Sequence, residues 1–313
     1  MSETVKSYSQ MRRDFYEKYQ KKILPCVKKY DSERKKKLIF AIICSSIFAV
    51  IGLFLLFSIS YCRLEGDSLE GALKGGVFML GLSWWVWYAI KKDFENKIKS
   101  KIMPTVCSCF GDLTWQEGGY WYENLFMDSC AVPVFTSSEC DDVFQGSYKD
   151  VKIDIVEAAY TRGSGKNRTV VFDGVIVKLS MNKDFKNHTV ITPDSILHTP
   201  PHVELHHTTL EDVVFEKKFD VFTNDDVEAR YLITPSFMQR LNNVKTAFKA
   251  NRIRCAFFYD QLIISLSTNK DLFSLCSLIK PMDDSQQFFQ MYEEIVSIIK
   301  LIDYFKLDQK IGL

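Results

Sequence analysis

The sequence predicts an α+β fold: an N-terminal transmembrane helical hairpin flanked by two basic amphipathic helices, then a cytosolic mixed domain of antiparallel strands with a C-terminal helix. Three observations carry that expectation. Leu38–Tyr61 has no charged residue, and 24 uncharged residues suffice to cross hydrocarbon as a helix. From Leu113 onward, short runs rich in β-branched and aromatic residues are split by turn residues, as strands are. Gln286–Leu307 then places Phe289, Tyr292, Ile295, Val296, Ile299, Ile302 and Phe305 at helical spacing. The implied segments are an arm helix over 1–37, a transmembrane hairpin over 38–90, a second arm helix over 91–112, and an acidic cytosolic α+β domain over 113–313.

In the first arm, Tyr8, Met11, Phe15, Tyr19, Ile23 and Val27 recur every three or four residues with lysines around them, an amphipathic helix. In the second, Ile90, Phe94, Ile98, Ile102 and Val106 do the same. Laying Asp14 on Asp93 gives seven identities in fourteen positions, including Phe15/Phe94, Ile23/Ile102, Pro25/Pro104 and Val27/Val106. Shared lysines follow from composition, but the shared proline and phenylalanine spacing reads as one phrase written twice. Pro25 and Pro104 are expected to end or kink their helices at the same place, and the two arms to pack side by side.

Between the arms lie the two uncharged runs. Leu38–Tyr61 follows a long charged region, which argues against a cleaved signal. Gly75–Ile90 is shorter, but Ala72 and Leu73 extend it and Lys74 can snorkel. Trp84, Trp85 and Trp87 near its end suit an interfacial aromatic belt. Arg34-Lys35-Lys36-Lys37 precede the first run and Lys91-Lys92 follow the second, whereas the intervening loop sets Arg63 and Lys74 against Glu65, Asp67 and Glu70. The positive-inside rule then puts both termini in the cytoplasm of a multi-pass protein of the inner (cytoplasmic) membrane. Gly71 and Gly75 have the GxxxG spacing of helix contacts, with Lys74 between them; oligomeric state stays open.

The net charge of +1 conceals a division. Residues 1–37 carry a net +7, residues 91–104 a net +3, and residues 105–313 a net −8. Basic arms suit anionic lipid, while an acidic body argues against a nucleic-acid groove. Of nine cysteines, Cys44 lies in the first run and Cys62 at its outer end; the other seven fall in reducing cytosol, where a disulfide framework is not expected.

Within the body, Val151–Tyr160 and Thr169–Met181 read as strands joined by the hairpin connection Thr161–Thr169. Phe215–Phe222 reads as a strand, and Asn224–Phe248 as helical with an interruption at Thr234-Pro235, where Thr caps and Pro opens a new first turn. Arg252–Phe258 and Leu262–Leu266 read as a hairpin turning around Tyr259-Asp260-Gln261. The segment FEKKFDVFTNDDVEARYLITPSFMQRL, Phe215–Leu241, together with VVFDGVIV upstream and STNKDLF, Ser267–Phe273, resembles the signature of the bacterial family called domain of unknown function 3137. The resemblance implies the same layout of two spans, two basic helices and a soluble domain. It is most specific at Phe219–Pro235 and weakest at Asn182–Thr209, and it brings no catalytic residues with it.

Four features could carry chemistry. His198, His202, His206 and His207 beside Glu204 could ligate Zn²⁺ or Ni²⁺, but Pro200 and Pro201 forbid the continuous helix that would align the first pair. Cys107, Cys109, Cys130 and Cys140 could supply thiolates, although only one pair is close. Thr161–Thr169 holds Gly, Arg162, Lys166 and Arg168, yet it joins two strands rather than a strand and a helix; its cations could face an anionic membrane or partner. Asp225, Asp226 and Glu228 could bind a cation or do acid–base work. Their simpler role is helix initiation: Asn224 or Asp225 capping, and Asp226 facing Arg230 one turn on.

The leading expectation is a membrane-anchored cytosolic binding or scaffold protein, contacting membrane lipids and a protein partner, with no cofactor and no assigned catalytic residue. Two alternatives stay open. One is a metal-dependent enzyme or hydrolase centred on Asp225/Asp226/Glu228 or on His198–His207. The other is a lipid or small-ligand binding domain at the membrane surface, with its pocket between sheet and terminal helix.

Overall fold

The computed structural model describes residues 6–61, 66–119, 122–181, 185–194, 204–268, 272–275, 277–281 and 285–305. Cys62, Arg63, Glu65, His198 and His202 lie outside them. The described chain is mixed α+β: long N-terminal helices, a nine-stranded antiparallel sheet and a C-terminal helix. It divides into two compact units. One comprises Tyr16–Thr105 and Ser274–Phe288, the other Met1–Phe15, Val106–Phe273 and Phe289–Leu313.

The helical unit is built on two long helices, α2 (Leu24–Tyr61) and α3 (Gly66–Cys107); α1 (Tyr8–Lys18) runs into α2 through a π-helical turn, Tyr19–Ile23. The run Tyr8–Ile59 is the one helix among the described residues long and apolar enough to cross a membrane. Neither long helix ends at its proline. Pro25 sits in the first turn of α2, directly after the π turn. That wider turn falls where the proline ring would otherwise meet the carbonyl four residues back. Pro104 is carried inside α3, three residues before its end at Cys107.

Helices α2 and α3 pack antiparallel, as their cross-contacts show. Lys97 Nζ meets Glu33 at 2.5 Å, Lys37 Nζ meets Asp93 at 2.5 Å, and Ser83 Oγ donates to Ser45 O at 2.7 Å. Further along, Gly52 faces Gly76 so closely that a Cβ on Gly52 would stand 3.0 Å from the Gly76 carbonyl oxygen, and one on Gly76 2.7 Å from Leu56. Position falls on α3 as it rises on α2, over about 28 Å of helix between Glu33 and Gly52. The tight glycine contact is thus Gly52/Gly76, whereas a Cβ on Gly71 would meet nothing within 4 Å. The matched arm positions are buried: Phe15 and Phe94, Tyr19 and Ile98, Ile23 and Ile102, Val27 and Val106. The repeated phrase is therefore the same helix face written twice, with Lys21, Lys22, Lys97 and Lys101 outward and Lys99 buried.

Arg34, only 4% exposed, is held by Asp31 at 2.7 Å and donates to the Leu278 and Ile279 carbonyls at 3.1 and 3.4 Å. Glu95 on α3 accepts from the Leu278 N–H at 3.2 Å. Two side chains, one from each long helix, thereby grip one stretch of backbone.

The second unit contains β1 (Thr114–Glu117), β2 (Ser137–Tyr148), β3 (Val151–Arg162), β4 (Thr169–Ser180), β5 (Thr189–Pro193), β6 (His206–Thr208), β7 (Phe219–Thr223), β8 (Arg252–Phe258) and β9 (Gln261–Ser267). Their order is β1-β2-β3-β4-β9-β8-β5-β7-β6. The connection β2–β3 is a two-residue turn in which Lys149 and Asp150 both have positive φ, the conformation that matches strand twist. The expected strands at Val151, Thr169 and Arg252 are present, as is the β8–β9 hairpin. The Phe215–Phe222 expectation is corrected: Val213–Glu216 forms a short helix, α5, because the Asp212 carboxylate accepts from the N–H groups of Val214 and Phe215, and β7 begins at Phe219.

Alternation divides the sheet's side chains between two faces. On one, Val156, Ala158, Tyr160, Phe172, Ile176 and Ile263 pack with Phe126 of α4 (Glu123–Asp128) and with Ala131 and Val132. On the other, Phe257 meets Phe237 of α7 (Pro235–Ala247), which meets Phe305 of α8 (Ser285–Phe305). Helix α6 (Asp226–Leu232) precedes α7, and Thr234 caps α7 ahead of Pro235, as its sequence predicts. At the N-terminal end, Phe15 stacks on Tyr292 at 4.6 Å, while Tyr8 donates to Asp303 of α8.

In the centre of the sheet, Gly174 of β4 has φ +151°, and a Cβ there would lie 2.1 Å from the Leu266 carbonyl oxygen of β9. Gly174→Ala must separate two central strands, and is expected to cost about 2–4 kcal/mol, read as a lowered denaturant midpoint for loss of sheet signal. Arg34→Ala leaves two carbonyls without their donor, and should cost about 2–3 kcal/mol in the same measurement. Arg34→Lys cannot serve Asp31 and both carbonyls with one compact ammonium and should recover only part.

Candidate functional site

The stretch from β6 to the start of α7 gathers several of the sequence's candidate groups and two clefts. Strand β6 is the sheet's edge, paired only with β7. Successive side chains on a strand face opposite ways. His206 and His207 therefore part company: His206 Nε2 lies 3.0 Å from Asp226, while His207 Nε2 lies 3.4 Å from Asp220, which is 2% exposed. The two described histidines of the cluster are split by the pleat, each with its own carboxylate.

The carboxylates at the start of α6 are separated in the same way. Asp225 Oδ1 accepts from the N–H groups of Val227 and Glu228 at 2.8 and 3.0 Å and is the N-cap. Hydrogen bonds from Thr208 and then His206 hold the Asp226 carboxyl below its usual range. Glu228 accepts from the Asn187 N–H at 3.0 Å. Asp225 also accepts from the Asn187 side chain at 3.3 Å, so it and Glu228 hold Asn187 between them while Asp226 turns to Thr208 and His206. The three acids are used in capping and in fastening neighbouring segments, as a helix start requires.

Among the described residues, the carboxylates that do converge are Asp141, Asp142 and Glu157, with one oxygen of each within 4.8 Å of the others. Asp142 on β2 stands directly opposite Glu157 on β3, beside an irregularity between Cys140 and Asp142. Both are buried. Like charges facing across strands repel, and two donors offset this: Trp115 Nε1 to Asp142 at 2.6 Å, and the Leu272 N–H to Glu157 at 2.8 Å. Their oxygens are the donor type a hard divalent cation takes. Sequence reading missed this group because its members lie on two strands whose register only the sheet determines. The one available signal was the Asp-Asp pair within a polar stretch.

Among the described residues, Cys107, Cys109, Cys130 and Cys140 form no disulfide, and no convergent ligand group includes a thiol. Burial pushes the Cys107 thiol up to about 12, helped by Cys109 and Asp142. Burial and then Asp142 do the same to Cys140, also about 12. Both environments favour the neutral thiol over the thiolate that ligates metal. In the β3–β4 connection, Arg162 donates to the Val134 carbonyl at 2.8 Å and Arg168 to Thr161 Oγ1 at 2.9 Å. Of its three cations, Arg168 therefore fastens the hairpin itself and Arg162 ties it to the segment preceding β2.

Two clefts open beside the β6–α6 groups. One, of about 410 Å³, includes His207, Asp220, Asp194, Glu216 and Lys217. The other, of about 590 Å³, lies among α5, α6 and the start of α7; Leu210, Val213, Val214, Ile233 and Met238 line it, with Glu211, Asp212 and Arg230. Its size is that of a small-molecule or peptide-anchor site.

No curated protein matches the chain. The crystal structure of the mycobacterial trehalose monomycolate transport factor A, TtfA, is similar at 5% identity and a TM-score of 0.36, covering 64% of this chain and 91% of that one. Residues 170–307, which take in strands β5–β9 and helices α5–α8, match the family described as Protein of unknown function (DUF3137), and this match bears out the resemblance read from Phe215–Leu241.

Proposed function

We propose that this chain is a membrane-anchored binding protein, crossing the inner membrane twice and presenting its sheet unit to the cytosol with both termini on that side. The observation that carries the reading is the packing of α2 and α3. Glycines meet between the helices at Gly52 and Gly76, while Ile43, Ile47, Val50, Phe54 and Phe57 on α2 and Val77 and Phe78 on α3 face outward and exposed. In water, a helix pair hides such side chains in its seam. In lipid, large apolar groups face the hydrocarbon and small residues let backbones approach.

The ends of the two helices support the orientation. Arg34–Lys37 and Lys91–Lys92 lie at the same end of the antiparallel pair, with exposed Trp84 and Trp85 nearby and Trp84 stacked on Tyr88. Exposed lysines of the arms, such as Lys21, Lys22 and Lys36, can each add about 1 kcal/mol of attraction to an anionic leaflet. The binding role, rather than a catalytic one, rests on the titratable groups of the β6–α6 region, which are held in caps and ion pairs beside an open apolar cleft.

Reporter fusions test the anchoring. Alkaline phosphatase joined after Gly66 should be active, and a fluorescent protein joined at the C-terminus should fluoresce in the cytosol. A C-terminal fusion active only outside would mean a single span and end the reading. Gly76→Leu forces α2 and α3 apart and should lower the thermal midpoint of the detergent-solubilised chain, a loss of about 2 kcal/mol or more. Val77→Leu, at an outward position, should leave that midpoint unchanged.

A further inference from the structure

The segment Glu204–Leu232 carries eight acidic and three basic residues, a net −5 in a stretch that contains β6, α5, β7 and α6. Through it runs an exposed apolar surface. Val213 and Val214 on α5 are 62% and 65% exposed, and Val227 and Tyr231 on α6 are 78% and 52% exposed. Val227, Arg230 and Tyr231 share the outer face of α6 at positions i, i+3 and i+4, while Ala229 and Leu232 take its buried face. The 590 Å³ cleft opens between α5 and α6, on a floor of buried Leu210, Ile233 and Met238. The core does not require these exposed side chains: Phe215 already anchors α5, and Ala229 and Leu232 anchor α6.

We propose that this cleft is the docking site for a basic amphipathic helix of a partner protein. The inference rests on the binding role proposed above and names the surface and the partner's chemistry. The partner helix lays its apolar face on Val213 and Val214 over the floor of Leu210, Ile233 and Met238, the mode in which an amphipathic helix enters a groove. Its lysines and arginines face Glu211, Asp226 and Glu228. The charge argument selects the occupant. Arg230 is the one cation lining the cleft, against Glu211 and Asp212. An acidic helix or an anionic lipid surface meets a segment of net −5 and is repelled, whereas a basic helix is drawn in.

The test uses the full chain in nanodiscs of zwitterionic lipid and a fluorescent Leu/Lys model peptide with leucines at helical spacing. Anisotropy is measured against empty nanodiscs. Saturable binding is expected, weakened about tenfold by the double variant Val213→Ser/Val214→Ser, which removes apolar wall without changing charge. Glu211→Lys should weaken it too, and a Leu/Glu peptide of the same pattern should not bind. Equal affinity of the double variant and the unaltered chain would overturn the cleft assignment while leaving a binding domain with its site elsewhere. Equal binding of the Leu/Glu peptide or of a scrambled Leu/Lys peptide would overturn the partner class, as would no signal above empty nanodiscs. The anchoring is read separately by the reporter fusions, so the two can fail independently.

Discussion

The close approach of α2 and α3 at Gly52 and Gly76 is the contact on which the helical unit depends. Without Cβ atoms the two backbones come together, and that spacing fixes an antiparallel register. The same register sets Ser45 against Ser83, Lys37 against Asp93 and Glu33 against Lys97. It also brings Arg34 and Glu95 to one place, where they hold the backbone at Leu278 and Ile279 from both sides. A guanidinium this deeply buried is tolerable only when its donors are satisfied, and here a carboxylate and two carbonyls do so. A pair of glycines in the apolar part of the helices thus governs how a segment more than 200 residues away is captured.

The sheet unit is likewise assembled from distant pieces. Its central pairings, β4 with β9 and β8 with β5, join strands that are far apart in sequence. Tyr8 and Phe15 from one end of the chain meet Asp303 and Tyr292 near the other. Since Ser274–Phe288 belongs to the helical unit and Phe289–Leu313 to the sheet unit, the chain passes between units within helix α8. Neither unit is a contiguous stretch, so each needs long-range closure of its own, the condition for slow, highly non-local folding.

What the sequence disclosed follows the length of each pattern. Helix α8 and the strands β3, β4, β8 and β9 repeat their apolar period often enough to be seen, and Thr234-Pro235 and Asp225 signal their caps through neighbours alone. Strand β2, SSECDDVFQGSY, has too polar an opening to register, and β5 and β6 have five and three residues, too few to show alternation. The repeated arm phrase was legible as helix, but the proline was a misleading stop: a π turn precedes Pro25, and Pro104 falls just inside the last turns of α3. At the candidate sites, local chemistry could be read and convergence could not. Asp142 and Glu157 meet because β2 and β3 pair in one register, and His206 and His207 diverge because adjacent strand residues must.

The division of charge survives folding, and it bears on partner choice. Several arm cations are neutralised within the helical unit: Lys37 by Asp93, Lys97 by Glu33, and Arg34 and Lys35 by Asp31. Others that stay exposed, among them Lys22, Lys36, Lys92 and Lys101, keep the arms basic, whereas the cleft-bearing segment keeps a net −5. A basic amphipathic helix is therefore repelled by one part of the molecule and attracted by another, so the same charges that favour the cleft disfavour docking along the arms. Specificity of this kind needs an unfavourable alternative as much as a favourable contact, and the apolar walls of Val213 and Val214 over Ile233 and Met238 supply the contact that charge alone cannot.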